Sequence, residues 1–565
     1  MTTGWKALVK ILTSEKVKLV FGLVGGAHEF WDCLADTDIK PIHVRHELSS
    51  VFMAMAYARL TGEPGIPFNS PGPGAASMIP GILEAYTGCI PLVIPSPCSH
   101  LMSEGMGQFQ EADMMLTTKS MTKWSFRVTR PERITWAMQR AFSLAINGKP
   151  GPVFIEIPYD IGDEECEIPE YKPPDRPLRI RGDPDRIGKA IDLILEAERP
   201  IIQAGGGVIL SKAFNELRNF AELLGIPVVT TASGRGSIPE GHPLALGLVG
   251  LYRTRVGRKL YEEADLLIGI GSKNEEIQTA GWKYFPKGAK FIQIDIDPFE
   301  IGRNWKPNLA IVGDAKLVLK DLTDNIASKI KKGRIESPRV KELIKAKKEY
   351  EAIVESECQD VSVPIKPRRI VRELNKVFGR NTILANENGM SDSWSYFFPY
   401  YKVLDAGDCM GMPEQTCFGL GVVGAIGAKL TRPDKKVVCT TGDGAFQWNM
   451  KEIPTAVQYN APVTWVVMNN YSLGWEKYIQ RYAFDGRCTA TEFDVQPDFV
   501  KIAEANKCYG ERVEDPRQVE LALKNALKAN VDGTPAILDF VVDLFDRPEF
   551  WDESNRQMGW IPTRC

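Results

Sequence analysis

Short apolar runs recur along the chain, separated by segments whose apolar positions repeat at helical spacing. "GPVFIEIPYDI", "PIIQAGG", "GIPVVTT", "ADLLIGIGS", "KFIQIDID", "KKVVCTT" and "APVTWVVM" are strand candidates, and "KAIDLILEAE" is a helix candidate. Several of these runs are continuously apolar rather than alternating. That is the mark of strands covered on both faces, as in parallel sheets flanked by helices. The expected fold class is therefore α/β, with three domains, each a mainly parallel sheet flanked by helices and the central one Rossmann-like. Two connecting stretches divide the pattern. "IPEYKPPDRPLRIRGDP" reads as a linker, and the lysine-rich "SPRVKELIKAKKEYEAIVESE" reads as a connecting helix with a solvent face. The domains expected from these breaks span 1–167, 186–328 and 365–543, with a tail over 544–565. In such sheets, ligands sit beyond the carboxyl ends of the strands.

Composition narrows the class. A chain of 565 residues with 44% hydrophobic and 25% charged residues can bury several cores. Net charge of −3 and a pI near 6.1 give no electrostatic case for nucleic acid or an anionic membrane as partner. No apolar run reaches the length of a membrane span. The start, MTTGWKALVK, lacks the basic-then-apolar order of a secretion signal. Eleven cysteines without CxxC pairs suggest reduced thiols and a cytoplasmic setting, and none of the five histidines pairs with cysteine at zinc spacing.

The candidate chemistry lies in the last third. The strand candidate "KKVVCTT" ends in Gly442-Asp443-Gly444. "NMKEIPTAVQY" reads as a helix with Asn449 as N-cap, and the strand candidate "APVTWVVM" ends in Asn469-Asn470. A right-handed strand–helix–strand crossover puts both strand ends on one edge, so Asp443 and Asn470 should be neighbours. Both offer hard oxygen atoms suited to Mg²⁺, and the flanking glycines let a large anion approach the backbone. The inferred ligand is Mg²⁺ with a diphosphate.

Glycine-aspartate-glycine followed one crossover later by a double asparagine is similar to the thiamine diphosphate motif. Over nearly its whole length the chain resembles the acetolactate synthase-like group of thiamine diphosphate enzymes. That group also includes benzaldehyde lyase, 2-hydroxyacyl-CoA lyase and oxalyl-CoA decarboxylase. The resemblance implies a cofactor-binding set of Gly442, Asp443, Gly444 and Ala445. It also implies a metal held by the side chains of Asp443 and Asn470 and the carbonyl of Ser472. "PIHVRHELSSVFMAMAYARLTGEPG" is similar to the group's Arg-His-Glu junction, which makes Glu47 the buried carboxyl expected to engage the pyrimidine ring. "NSPGPGAASMIPGILEAY" resembles the loop that opens a helix near the cofactor, through Gly72, Pro73 and Gly74. "GQFQEADMM" resembles the segment that carries an active-site glutamine, here Gln110. His28 in "GLVGGAHEF" matches a Gly-Ala-His of benzaldehyde lyase, and is either a proton shuttle or a loop histidine. The bulky residue that bends the cofactor falls at Phe418, with Met410 and Met412 as alternatives.

Toward the substrate, Ile479 stands where acetolactate synthases carry a tryptophan, and Trp475 sits one turn earlier. Glu414 either faces the substrate or lies on a surface loop. The central domain of the group holds FAD or ADP. Here "GIGSKNEEIQTAG" lacks the Asp-Asp-Arg run found near FAD, which weakens the case for FAD beside ADP or CoA as the ligand of this domain. Arg235, Arg253, Arg255 and Arg258 are either a seat for phosphate or a solvated face. The tail, with Arg547, Arg556 and Arg564, is either an active-site lid or an inert extension.

The leading expectation is a carbon–carbon lyase or carboligase acting on 2-hydroxyacyl substrates, CoA-linked ones among them, or on 2-oxo acids and aldehydes. The alternative is an acetolactate synthase catalytic subunit. An alternative of another class is a non-catalytic nucleotide-binding protein that keeps the fold. The group's active site is built between two chains, so the expected assembly is a dimer at least, and a homotetramer by resemblance.

Overall fold

The computed structural model describes residues 1–330 and 333–562. Its chain forms two compact units: residues 1–178 with 415–433 and 449–461, and residues 179–414 with 434–448 and 462–565.

In the first unit, Leu19–Gly22 pairs in parallel with Lys40–His43. Leu92–Cys98, Pro152–Pro158 and Trp124–Arg127 form a second parallel group, with Pro152–Pro158 in the middle. Single parallel bridges at Phe21/Pro67 and Gly65/Leu92 lie between the two groups. The helix Glu47–Thr61 is buried from Ser49 through Ala58, as expected of a helix apolar on every side. It packs on Leu420–Thr431, where a Cβ on Gly427 would fall 2.7 Å from Met53 Cα. The small residue therefore sets the helix spacing.

The second unit contains two six-stranded sheets, parallel throughout. One runs in the spatial order Ala245–Leu248, Val228–Thr230, Pro200–Ala204, Leu266–Ile270, Lys290–Asp295, Leu309–Val312. The other runs Cys409–Met410, Thr382–Asn386, Lys436–Gly442, Thr464–Asn469, Ala536–Val541, Tyr509–Val513. The continuous apolar runs from Pro200 onward are inner strands of these sheets, whereas "GPVFIEIPYDI" is the middle strand of the first unit's three-stranded group. The connecting helix Pro338–Glu357 forms, but Lys347 is not on a solvent face. Its Nζ is buried and donates to the carbonyls of His242 (2.7 Å) and Ala245 (2.6 Å). Fully buried Arg235 pairs with Glu240 and donates to the carbonyls of Ser395 and Tyr401, tying loops of the two sheets together. Arg235 is therefore neither solvated nor available to a phosphate.

Candidate functional site

The strand Lys436–Gly442 lies between Thr382–Asn386 and Thr464–Asn469, and their registers bring three strand ends to one edge. The chain then turns straight into the helix Asp443–Asn449. A short 3₁₀ turn, Met450–Glu452, and a second helix, Ile453–Gln458, follow. Asn449 thus closes the first helix and stands at the N-cap position of the 3₁₀ turn, where its side chain makes no capping hydrogen bond. With the helix starting at the acid itself, the Asp443 side chain stands at the strand end with no loop between.

Asp443 is 1% exposed. Its Oδ1 accepts from Gly444 N–H at 3.1 Å and its Oδ2 from Gln496 Nε2 at 2.8 Å. Burial pushes its carboxyl up to about 7, against the lowering effect of the Gln496 bond. The same Gln496 Nε2 donates to Asn469 Oδ1 at 2.8 Å, so one amide ties the two strand ends together. Asn470 Oδ1 accepts from the backbone N–H (3.1 Å) and hydroxyl (2.8 Å) of Ser472, while its Nδ2 donates to Ser391 Oγ at 3.0 Å. Ser472 is buried, and Tyr471 before it adopts φ 57°. Asp443 is thus tied through Gln496 to Asn469, and the next residue, Asn470, is bonded to Ser472.

The third strand end adds Asp392, which is fully buried with neither carboxylate oxygen hydrogen-bonded. Burial, then the nearby Glu387 and Asp443 charges, hold its carboxyl well above the usual carboxylate range. A Cβ on Gly442 would have only Asp392 Oδ1 within 4 Å, at 3.8 Å, so space is open beside the glycine. On Gly444 a Cβ would fall 2.8 Å from Leu473 Cδ2, so the Leu473 side chain packs close against this glycine. Hard oxygen donors, open space by a glycine and a buried carboxyl without a partner together fit a Mg²⁺–diphosphate group. Gln496 and Asp392 escaped sequence reading. Gln496 lies in a loop without pattern, and Asp392 reads as an ordinary polar residue of "MSDSWS".

In the first unit, another cluster gathers around a glycine turn. Gly72, at φ 57°, precedes the helix Pro73–Ser77 with Pro73 at its first position. A Cβ on Gly72 would press on Gln110 O and Cβ, and one on Gly74 would lie 3.4 Å from Glu47 Oε1. Glu47, Gly72, Gly74 and Gln110 therefore converge. Glu47 begins its helix after His46, whose Nδ1 accepts from Leu48 N–H at 3.2 Å, and it is half-buried rather than buried. His28 starts the helix His28–Leu34 and is exposed.

The remaining candidates separate. Met410 and Met412 are buried, Met410 within a strand, whereas Phe418 is half-buried. Glu414 is half-buried, not on a surface loop: its Oε1 accepts from Ile277 N–H at 3.0 Å, and burial pushes its carboxyl up to about 7. Trp475 packs on Trp551 and Trp560 of the tail, at ring-centroid distances of 4.9 and 5.7 Å. Ile479 is half-buried on the same helix, Gly474–Ala483. The tail folds into the helix Trp551–Met558, and Arg564 lies outside the described residues. Arg253 is buried, Arg258 half-buried and Arg255 exposed, and Glu549, Glu553 and Glu262 pair with them. Among the described residues no group of three or more His, Cys, Asp or Glu side chains is placed to hold a metal, and no helix is long and apolar enough to cross a membrane.

Comparison with known proteins agrees with this geometry. The family pattern "Thiamine pyrophosphate enzyme, N-terminal TPP binding domain" matches residues 2–117. The patterns for the central domain and the C-terminal TPP binding domain of the same enzymes match residues 187–322 and 388–540. The chain is 36% identical over 559 residues to a probable acetolactate synthase large subunit of Methanococcus aeolicus, covering 96% of this chain and 92% of the relative. It is 37% identical over 554 residues to one from Methanocaldococcus jannaschii, with the same coverage. It is 34% identical over 559 residues to the acetolactate synthase large subunit of Corynebacterium glutamicum, covering 96% and 87%. The names of these relatives match the synthase alternative better than the leading lyase expectation. The chain belongs to the thiamine diphosphate enzymes, in their acetolactate synthase-like group, and is a carboligase that depends on that cofactor.

Proposed function

We propose that this protein is a Mg²⁺-dependent carboligase of acetolactate synthase type, which joins two 2-oxo acids and releases the carboxylate of one as CO₂. The observation that carries the reading is likeness over 96% of the chain to proteins named acetolactate synthase large subunits; oxygen-bearing Asp443 and Asn470 at the ends of adjacent strands support it. When bound, thiamine diphosphate supplies the electron sink for breaking and forming the carbon–carbon bond. The chain supplies position and protons. Asp443, Asn470 and the Ser472 carbonyl would hold Mg²⁺, with Gly442, Gly444 and Ala445 lining the diphosphate. Glu47 would hold a proton against the pyrimidine ring, beside Gly72 and Pro73. Phe418, half-buried where the methionines are enclosed, would press between the cofactor's two rings. Exposed His28 would move a proton at the substrate oxygen, and Gln110 would orient the substrate. Glu414, Trp475 and Ile479 would bound the substrate side.

Glu47 and Asp443 belong to different compact units, and in this reading the pair that completes one site comes from two chains. Exposed Met102, Met106 and Phe109, beside Gln110, suit an interface with a second copy; the assembly is a homotetramer of two such pairs. The cysteines are free among the described residues, which favours the cytoplasm. The tail would act as a lid, so it should resist protease more strongly with substrate and cofactor present; equal cleavage with and without them counts against a lid. FAD has no support from the closed strand ends of the central sheet, and a colourless purified protein is expected.

The test is incubation of the purified protein with pyruvate, Mg²⁺ and thiamine diphosphate. Equimolar CO₂ and acetolactate are expected. A second reading, a lyase of 2-hydroxyacyl thioesters, is favoured by Ile479 at the tryptophan position. Cleavage of such a thioester with no product from pyruvate would replace the first reading by the second.

A further inference from the structure

The turn 470–472 is fastened from behind by a cross-strand pair. Asp539 and Arg512 are register partners on the neighbouring strands Ala536–Val541 and Tyr509–Val513. Asp539 is buried, and its Oδ1 accepts from Asn469 Nδ2 at 2.9 Å. Arg512 Nη1 donates to Asp539 Oδ2 at 2.9 Å, its Nη2 to the Tyr471 hydroxyl, and its Nε to Glu514 Oε1 at 2.7 Å. One guanidinium therefore spans a buried carboxylate and a phenol in the middle of the turn. Its planar fork fixes both directions at once, which a lysine ammonium would not.

The turn needs such a restraint. Tyr471 adopts φ 57°, a conformation that residues other than glycine seldom take. Its N–H donates to Asn469 Oδ1 at 3.3 Å, and its carbonyl accepts from Phe493 N–H at 2.9 Å. The Asn469 amide is oriented in turn by Asp539. With Nδ2 committed to that carboxylate, Oδ1 faces Gln496, whose Nε2 also bonds Asp443. The opposite orientation would set the amide oxygen against the carboxylate, acceptor against acceptor. Arg512 thus acts along two routes. One runs through Asp539, Asn469 and Gln496 to Asp443; the other runs through the Tyr471 side chain to the backbone between Asn470 and Ser472.

We propose that Arg512, acting with Asp539, is a positioning residue of the metal site, which fixes the spacing of Asp443, Asn470 and the Ser472 carbonyl and thereby makes the site selective for Mg²⁺ over a larger divalent cation such as Ca²⁺. The inference rests on the reading of those three groups as the metal ligands. The selectivity follows from geometry. Mg²⁺ demands near-octahedral oxygens at about 2.0–2.1 Å, whereas Ca²⁺ accepts irregular sets at about 2.3–2.6 Å. A turn held rigid on two sides keeps the tight spacing, and a turn released on either side relaxes toward the looser one.

The test reads metal affinity, not product formation. Wild type, Arg512→Met, Tyr471→Phe and the double variant are each held with thiamine diphosphate in fixed excess, and Mg²⁺ or Ca²⁺ is titrated while protein fluorescence is followed. The Mg²⁺ half-saturation should rise about tenfold in R512M and about threefold in Y471F, and that for Ca²⁺ should change by less than about twofold in both. The double variant should match R512M, because Tyr471 has already lost its partner there. Tyr471 is exposed and Y471F keeps its ring, so this variant decides the matter even where R512M, with buried Asp539 left unpaired, fails to fold. An unchanged Mg²⁺ half-saturation in Y471F, or equal weakening for both cations, would overturn the proposal. Absence of Mg²⁺ saturation in wild type would overturn the metal reading together with the proposal. Saturation in wild type with unaltered variants leaves that reading standing and removes only the role of Arg512.

Discussion

Two six-stranded parallel sheets share one compact unit, and in each at least one inner strand ends in or runs directly into a glycine, yet the carboxyl-end edges of the two sheets differ. In the central sheet, glycines close on each other: a Cβ on Gly205 would overlap Gly271 O, and one on Gly207 would fall 2.7 Å from Gly271 Cα. In the C-terminal sheet, a Cβ on Gly442 would meet nothing nearer than Asp392 Oδ1 at 3.8 Å. Charge follows the same division. The central side has arginines already paired with tail carboxylates, whereas at the C-terminal edge Asp443 and Asp392 are bonded to no basic side chain among the described residues. Topology alone marks both edges as ligand sites. What separates them is whether the glycines leave room and whether the charges are already answered.

The largest expected effect is at Glu47, in the first unit. Glu47→Gln should lower turnover about a thousandfold while the cofactor affinity, read by calorimetry, stays within about threefold. Near-normal turnover would remove Glu47 from the chemistry. Gln496→Ala should weaken Mg²⁺-dependent cofactor binding by about tenfold, because Asp443 Oδ2 and Asn469 Oδ1 both lose their shared donor. Unchanged affinity would make Gln496 a bystander.

The two glycines sharpen the comparison directly. Gly205→Ala should cost about 1–3 kcal/mol of stability through the clash with Gly271, measured by denaturant unfolding. Gly442→Ala should leave stability nearly unchanged and instead weaken cofactor binding. If both substitutions destabilise alike, the open edge is not open.

The smallest effect is on pH dependence. Glu414 titrates near 7 in the folded chain against a usual 4.5, because burial disfavours its ionised form. The folded state therefore holds this proton more tightly than the unfolded one. Its contribution to stability is complete below pH 4.5 and is lost as pH rises through 7. Glu414→Gln should flatten the melting temperature between those values, by the equivalent of about 1 kcal/mol after allowance for partial exposure. An identical pH profile in the variant would show that the carboxyl is solvated.

What was legible in the sequence follows the same physics. Asp443 and Asn470 stand out because each directly follows a strand of one crossover, so their position is legible from the pattern of apolar runs. The parallel sheets were legible because strands buried on both faces are continuously apolar. Gln496 was not, since it reaches the site through a loop whose course depends on tertiary packing. The arginines misled for a related reason: spacing shows charge but not burial, and Arg235 spends its charge on Glu240 inside the protein. Lys347 likewise reads as part of a charged helix face, although its ammonium caps two carbonyls of the loop leading into the central sheet's edge strand.

The most direct test of the account is calorimetric titration of thiamine diphosphate into wild type and Asp443→Ala, each with and without Mg²⁺. The account predicts tight binding by wild type only when Mg²⁺ is present, and affinity lowered by at least about a hundredfold in the variant whether or not Mg²⁺ is added. Equal, Mg²⁺-dependent binding by the two proteins would contradict it.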